Sequence, residues 1–342
     1  MKISIDKTDN TPIFVQICNN IRQQIKSGIL APGERLPSMN QLAIMLDISR
    51  ETTKKAYNAL VKDNLLTAWR GKGIFVAAKD GSRFREILVL LDKQSVYNQI
   101  MLSSFQETLK GNAHITILQH NQDTDLLEYY ISHNLDLYDY YVVNPHFPLD
   151  QATQARAAKL IGRIPPRKLI MLDNWLREVP GDYGVVYQDF RKDAALGLAS
   201  GREDILRRGG NLKVIVLPRS LYGNIILESV KDFAEEASIK LSVYRSIPSV
   251  WNSGDVALVI NSQLDSGLVQ LDANIRSAGL VPGEDVYIIS YNEMPLNELV
   301  MGGLTVLSTD FPAMGRTAGE MILKGSRSKV HNPFRLIRRK SF

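Results

Sequence analysis

"SRETTKKAYNALVKDNLL", residues 49–66, carries two patterns at once. Ala56, Tyr57, Leu60 and Val61 recur at the spacing of an amphipathic helix. The opposite face opens with Ser49, Arg50, Glu51, Thr52 and Lys54, so polar groups crowd the first turn. Ser49 suits the cap position, where a hydroxyl accepts a backbone N–H that the helix leaves unpaired. Such a start fits the major groove of duplex DNA. Arg50 can fork onto guanine, Thr52 and Thr53 can donate or accept, and Lys54 can meet a phosphate. The helix dipole adds attraction for phosphate at that end. Glu51 repels phosphate and has to point away or accept from a cytosine amine.

The flanking segments supply the rest of a small domain. Residues 11–28 predict a helix with Thr11 as cap, Pro12 at the first helical position and Ile13, Ile17, Ile21 and Ile25 as core stripe. Gly28 ends it. Pro32 and Gly33 turn the chain, and Ser38 caps a short helix expected to bury Leu42, Ile44 or Met45, and Leu46. "LLTAWRGKGIFVA", residues 65–77, is a hairpin signal. Gly71 and Gly73 let its tip approach a duplex, with Arg70 and Lys72 at the minor groove or backbone. Three helices and a hairpin predict a winged helix-turn-helix over residues 1–76, and the aperiodic residues 77–84 read as a linker. Charge agrees: residues 1–80 hold twelve Lys/Arg against seven Asp/Glu, while residues 81–326 are net acidic. A basic head on an acidic body suits a polyanion-binding module joined to something else.

"GILAPGERLPSMNQLAIMLDISRETTKKAYNALVKDNLL" followed by "RGKGIFV" resembles the N-terminal domain of the GntR family of bacterial transcription regulators. The resemblance implies DNA contacts at Ser38, Ser49, Arg50, Thr52, Lys54, Arg70 and Gly71. Asn40 stands where the family usually has Arg. Because Asn pairs bidentately with adenine and Arg with guanine, the operator should differ there.

From residue 85 the pattern becomes alternating short apolar runs and helical segments. "EILVLLD", "HITILQH", "YDYYVVN", "RKLIMLDN", "YGVVYQD", "LKVIVLP", "IKLSVYR", "VALVIN" and "VYIISYN" read as strands of a doubly wound parallel α/β structure with two lobes, over residues 85–326. Ligands in such folds sit beyond the carboxyl ends of the strands. The polar residues there are Asp92, Gln94, Asn144, Asp173, Asn174, Gln188, Asp189, Asn261 and Asn292, beside Tyr97, Trp175 and Tyr291. Amides, carboxylates and aromatic faces suit a neutral sugar or polyol. Strand ends and turns are rich in Asn and Asp in any case, so each residue also has a purely structural reading.

This half resembles the LacI/GalR effector-binding domain, which is related to periplasmic sugar-binding proteins. The strongest stretch is "DVALVINSQLDSGLVQLDANIRSAGLVPGEDVYIISYNEM" with "GGLTVLSTDFPAMGRTAGEMIL". The resemblance implies a sugar effector and contacts at Asn261 and Asn292. It departs at Ser262 and Asn292, where the family has Asp, and at Ser229, near which its Arg would fall. The combination is similar to the arabinose-type repressors. It implies a repressor whose binding to double-stranded operator DNA is set by a small sugar or polyol, acting as a homodimer. The alternative is a constitutive DNA-binding protein with no effector.

Other classes find little support in the sequence. An aminotransferase-like body needs a longer chain and a Schiff-base lysine motif. The five histidines lack metal-ligand spacing, and there is neither a P-loop nor a G-x-S-x-G elbow, so no metal, cofactor or catalytic residue is expected. One cysteine, no apolar run of membrane-spanning length and no signal-peptide pattern lead to the expectation of a cytoplasmic protein. Residues 327–342, with six basic residues and no acid, are expected as a separate basic tail.

Overall fold

The computed structural model describes residues 3–9, 11–69, 71–77, 84–218, 220–260 and 266–342. The head comprises α1 (Ile13–Lys26), β1 (Arg35–Leu36), α2 (Met39–Leu46), α3 (Arg50–Lys62), β2 (Leu66–Trp69) and β3 (Gly73–Val76). β2 and β3 pair antiparallel, and the two-residue β1 pairs with the other edge of β3, giving a three-stranded wing. Ile17, Ile21, Leu42, Ala56, Tyr57 and Leu60 form its core. Each buried Ile or Leu side chain contributes about 1.5–3 kcal/mol. Tyr57 is fully buried, yet its hydroxyl donates to the carbonyl of Pro37 at 2.9 Å. That bond fixes the turn entering α2 against α3.

Two local expectations are corrected. Pro12, not Thr11, is the residue before the first helical turn. In α2 the core is reached by Leu42, Ala43 and partly by Leu46, leaving Ile44 81% and Met45 62% exposed. The left-handed Asp47 (φ 51°) ends α2.

The remaining chain runs β4 (Arg85–Leu91), α4 (Val96–Leu109), β5 (Ala113–Gln119), α5 (Thr124–Asn134), β6 (Tyr140–Val143), α6 (Gln151–Ile161), β7 (Leu169–Asp173) and β8 (Gly184–Tyr187). It continues with α7 (Asp193–Ala199), α8 (Arg202–Arg207), β9 (Asn211–Val216), α9 (Gly223–Glu236), β10 (Lys240–Tyr244), β11 (Val256–Ile260), α10 (Ser266–Ser277), β12 (Tyr287–Tyr291) and β13 (Thr305–Thr309). It closes with α11 (Phe311–Lys324), β14 (Lys329–His331) and β15 (Phe334–Ile337). Among the described residues the strands form two six-stranded sheets, ordered β5-β4-β6-β7-β8-β14 and β10-β9-β11-β12-β13-β15. The order is the same in both lobes, so β7 and β12 hold equivalent places. All nine sequence-predicted strands are present; β13, β14 and β15 are additional.

By contact the chain divides into Met1–Val89 with Leu109–Ile117 and Asn134–Tyr141, and Leu90–Thr108 with Leu118–His133 and Val142–Phe342. This division does not coincide with the expected linker, of which residues 78–83 lie outside the described residues.

The separate C-terminal tail is corrected. β14 joins the first sheet parallel to β8, and β15 joins the second antiparallel to β13. Val330, Phe334, Leu336 and Ile337 interleave with the basic residues, so the segment can bury one face while its charges find partners: Arg338 pairs with Asp204, and Arg339 with Glu293. Between β14 and β15 lies the buried Asn332. Its backbone N–H donates to Tyr187 O at 2.7 Å, and Nδ2 donates to Thr309 Oγ1 at 2.7 Å and Asp310 O at 2.9 Å. One residue thereby ties together three places where the chain passes between the sheets.

Candidate DNA-binding face and ligand cleft

On the head, the starts of α2 and α3 are built alike. Ser38 accepts from Gln41 N at 3.2 Å while Gln41 Oε1 accepts from Ser38 N at 2.9 Å, a reciprocal cap. Ser49 accepts from Thr52 N at 3.1 Å, with the two hydroxyls 2.8 Å apart. These caps hold the two helix starts in place and leave Asn40, Arg50 and Lys54 exposed beside them. Lys54 lies 3.4 Å from Glu51, so the acid is answered on its own helix rather than turned away. Gly71 is left-handed (φ 79°), and nothing lies within 4 Å of where a Cβ would be, so the wing tip is open. Lys72 is exposed, with Nζ 5.2 Å from the Trp69 ring and 3.9 Å from Glu86. Thr53 is a correction: it is fully buried, one turn before Ala56 and Tyr57 on the core side, and cannot reach a base. Arg70 lies outside the described residues.

On the body, a cleft of about 490 Å³ opens beyond the carboxyl ends of the strands. Such a volume suits a small ligand. Of the residues expected there, Tyr97, Asp173 and Asn292 line it, as do Asp92, Gln188 and Tyr291. The others do not. Asn144 is buried beneath the cleft, with Nδ2 3.4 Å from Asn98 Oδ1. Gln94 is exposed outside it. Trp175 donates to the Tyr183 hydroxyl at 3.3 Å and carries Arg177 over its ring. Asp189 accepts from Arg191 N at 3.1 Å, ordering the entry to α7. Ser229 is buried and accepts from Ala195 N at 3.1 Å, holding α9 to α7. Asn261 and Ser262 lie outside the described residues.

His146, Asn98, Gln122, Phe190, Tyr222 and Phe311 line the cleft without having been singled out. His146 stands two residues beyond Asn144, and the strand-end rule stopped short of it. Its Nε2 lies 2.8 Å from Asp173 Oδ2, and its Nδ1 lies 2.8 Å from the Tyr222 hydroxyl. Gln188 Nε2 donates to Asp173 Oδ1 at 2.5 Å. Burial alone would lower the His146 pKa, but the bond to Asp173 and its charge outweigh burial and hold it above the ordinary value. His120, behind, is the opposite case. Nδ1 accepts from Gln122 N at 3.2 Å while Nε2 faces Asn144 O at 3.0 Å, the pattern of a neutral ring, and burial pushes its pKa down. Burial also raises the phenols of Tyr222 and Tyr291.

Asp173 ends β7 and Asn292 follows the equivalent strand β12, and both are left-handed with φ 72°. Asn and Asp tolerate that conformation better than other side chains do. Three buried oxygens around the cleft make no hydrogen bond: Gln188 Oε1, Tyr291 Oη and Asn292 Oδ1. Tyr97 stacks on Phe311 at 5.2 Å, and Phe190 on Tyr222 at 3.9 Å, so the walls present flat apolar faces between these acceptors.

Residues 14–76 match the family model for bacterial regulatory proteins of the gntR family. The transcriptional repressor YtrA of Bacillus subtilis is 33% identical over 75 residues, 22% of this chain and 58% of the relative. The repressor NagR of the same organism is 39% identical over 75 residues, 22% of this chain and 31% of the relative. The matched segment therefore spans less than two thirds of either relative. For the body, the lactose repressor bound to the anti-inducer ONPF aligns with a TM-score of 0.57 at 15% identity, over 75% of this chain and 99% of that one. A periplasmic binding protein/LacI regulator from Alkaliphilus metalliredigens in complex with D-xylulofuranose aligns with a TM-score of 0.55 at 13% identity, over 75% and 98%. No helix among the described residues is long and apolar enough to cross a membrane. The chain thus joins a gntR-family winged head to a two-lobed body with the fold of the lactose repressor.

Proposed function

We propose that the protein is a transcription regulator, a repressor, whose hold on operator DNA is controlled by a small sugar or polyol bound in the body cleft. The observation that carries this reading is the exposed, Ser49-capped start of α3, with Arg50 and Lys54 outward, in a segment that matches the gntR family model. Arg50 and Asn40 read base edges; Ser38, Ser49, Thr52, Lys54, Gly71 and Lys72 position the head on phosphates. Two heads of a homodimer engage a palindrome.

The effector class is supported by the uncharged polar side chains of Asn98, Gln122, Gln188 and Asn292 in the cleft lining, and by aromatic walls that suit the faces of a sugar ring. The ligand acts by its differential affinity for two arrangements of the lobes, and its sign here is release of the operator.

Selection of binding sites from random duplex DNA, followed by titration of the selected site with a panel of neutral sugars and polyols, tests both halves. One panel member should raise the melting temperature and weaken operator binding. Failure to enrich any palindrome refutes the head's role, and a panel without any binder refutes the effector class.

A further inference from the structure

Tyr222 lies just before α9 in the second lobe, with its ring flat on Phe190 at 3.9 Å and 3°. Its hydroxyl meets two groups of the first lobe. His146 Nδ1, beyond β6, is 2.8 Å away, and Asn174 Nδ2, beyond β7, donates to it at 3.1 Å. His146 is itself held from behind by Asp173, and Asp173 by Gln188. The hydroxyl therefore enters a socket whose far wall is fixed. Tyr291 and Asn292, which line the same cleft from the second lobe, leave Oη and Oδ1 without partners. The second lobe thus engages the first through the Tyr222 hydroxyl, while the buried oxygens of Tyr291 and Asn292 stay unpaired.

We propose that Tyr222 is a built-in latch that holds the two lobes together across the cleft. Opening pulls its hydroxyl away from both His146 and Asn174, and water replaces the two bonds. Each such bond is worth a factor of about five in an equilibrium, so losing the hydroxyl shifts the closed-to-open ratio roughly tenfold or more. A ligand entering the cleft needs the latch to open and benefits when it recloses. The latch thereby sets both the rate of entry and the resting position of the lobes. This regulatory role rests on the reading that this cleft takes the effector.

Tyr222→Phe removes the hydroxyl and keeps the ring on Phe190. Spin labels at Gln151→Cys and Asn224→Cys, exposed positions on α6 and α9, report the lobe separation in the ligand-free full chain with Cys18→Ala. The latched protein should give one narrow, short distance. Tyr222→Phe should add a longer population, with the closed-to-open ratio down roughly tenfold. Asn174→Ala, which removes one of the two bonds, should fall between them and serves if Tyr222→Phe does not fold. An open distance before substitution, or distributions unchanged by both substitutions, overturns the latch. Operator titration of the same variants separates the two ideas. Altered distances with unaltered operator affinity keep the latch and remove the coupling of cleft to DNA. Altered affinity with unaltered distances does the reverse.

Discussion

The two lobes share one strand order, yet their equivalent strand ends are finished differently. Asp173, at the end of β7, is bonded to His146 and Gln188; Asn292, just after β12, has the same φ of 72° and leaves Oδ1 without a partner. The connections after the fifth strands repeat the contrast. After β8 the chain enters α7, where Gly197 faces side chains; a Cβ there would stand 2.6 Å from Leu307 Cδ2 and 3.1 Å from Phe334 Cε1. After β13 it enters α11, where Gly315 faces backbone; a Cβ would stand 2.1 Å from Met101 O. At this strand end and in this connection the first lobe is cross-bonded and tightly packed, although Asn144 Oδ1 and Gln188 Oε1 there also lack partners. The second leaves the matching amide of Asn292 unpaired and packs its connection against side chains. One repeated topology can thus finish its two strand ends in different ways.

The largest test of this contrast is steric. Gly315→Ala should cost about 3 kcal/mol in urea unfolding, because a carbonyl cannot swing aside, and Gly197→Ala about 1 kcal/mol, because a leucine tip can. Equal costs would erase the difference in packing. Next, the same substitution at the two strand ends isolates the side chains, since glycine accepts the left-handed backbone at both. Asp173→Gly should lose about 2 kcal/mol, leaving His146 and Gln188 buried without their acceptor. Asn292→Gly should stay within about 1 kcal/mol. Binding should show the opposite ranking at Asn292: calorimetry with the panel's best polyol should lose about tenfold in affinity, near 1.4 kcal/mol, although stability barely moves.

The smallest effect is the pH slope. The His146 pKa is raised from 6.5, so its stabilising contribution is complete below about pH 6.5 and is lost as the pH rises through the raised value. The stability difference between the protein and His146→Gln should therefore shrink in alkaline buffer. A difference that grows with pH would mean that the ring is folded in its neutral form.

The head was legible because its signals are local. Caps, a Pro-Gly turn, helical spacing and a Gly-flanked lysine each act within a few residues, and the pairing of Ser38 with Gln41 and Ser49 with Thr52 is a matter of three positions. Thr53 was misread as a groove contact, although its spacing from Ala56 and Tyr57 puts it on the buried side of the helix. The cleft is assembled from places far apart in sequence, and only the general rule about strand ends pointed to it. That rule found Tyr97, Asp173 and Asn292, but it could not say that the chain beyond β6 swings His146 rather than Asn144 into the space, nor that Tyr222 arrives from a helix start. Ser229 was placed by resemblance, and here its hydroxyl holds two helices together. β14 and β15 escaped notice because basic residues dominate the segment, while the apolar ones that hold it in the sheets are spaced between them.

Asn332 fastens the ends of β8 and β13 to the link between β14 and β15. Three strips of backbone pinned at one residue make a fulcrum. Rotation of one lobe against the other displaces atoms least at Asn332 and most at the far rim, as a pair of tongs moves least at its rivet. In the proposed reading, a ligand held in the cleft sits some way from that rivet, so a small shift of one lobe there becomes a larger one at its rim.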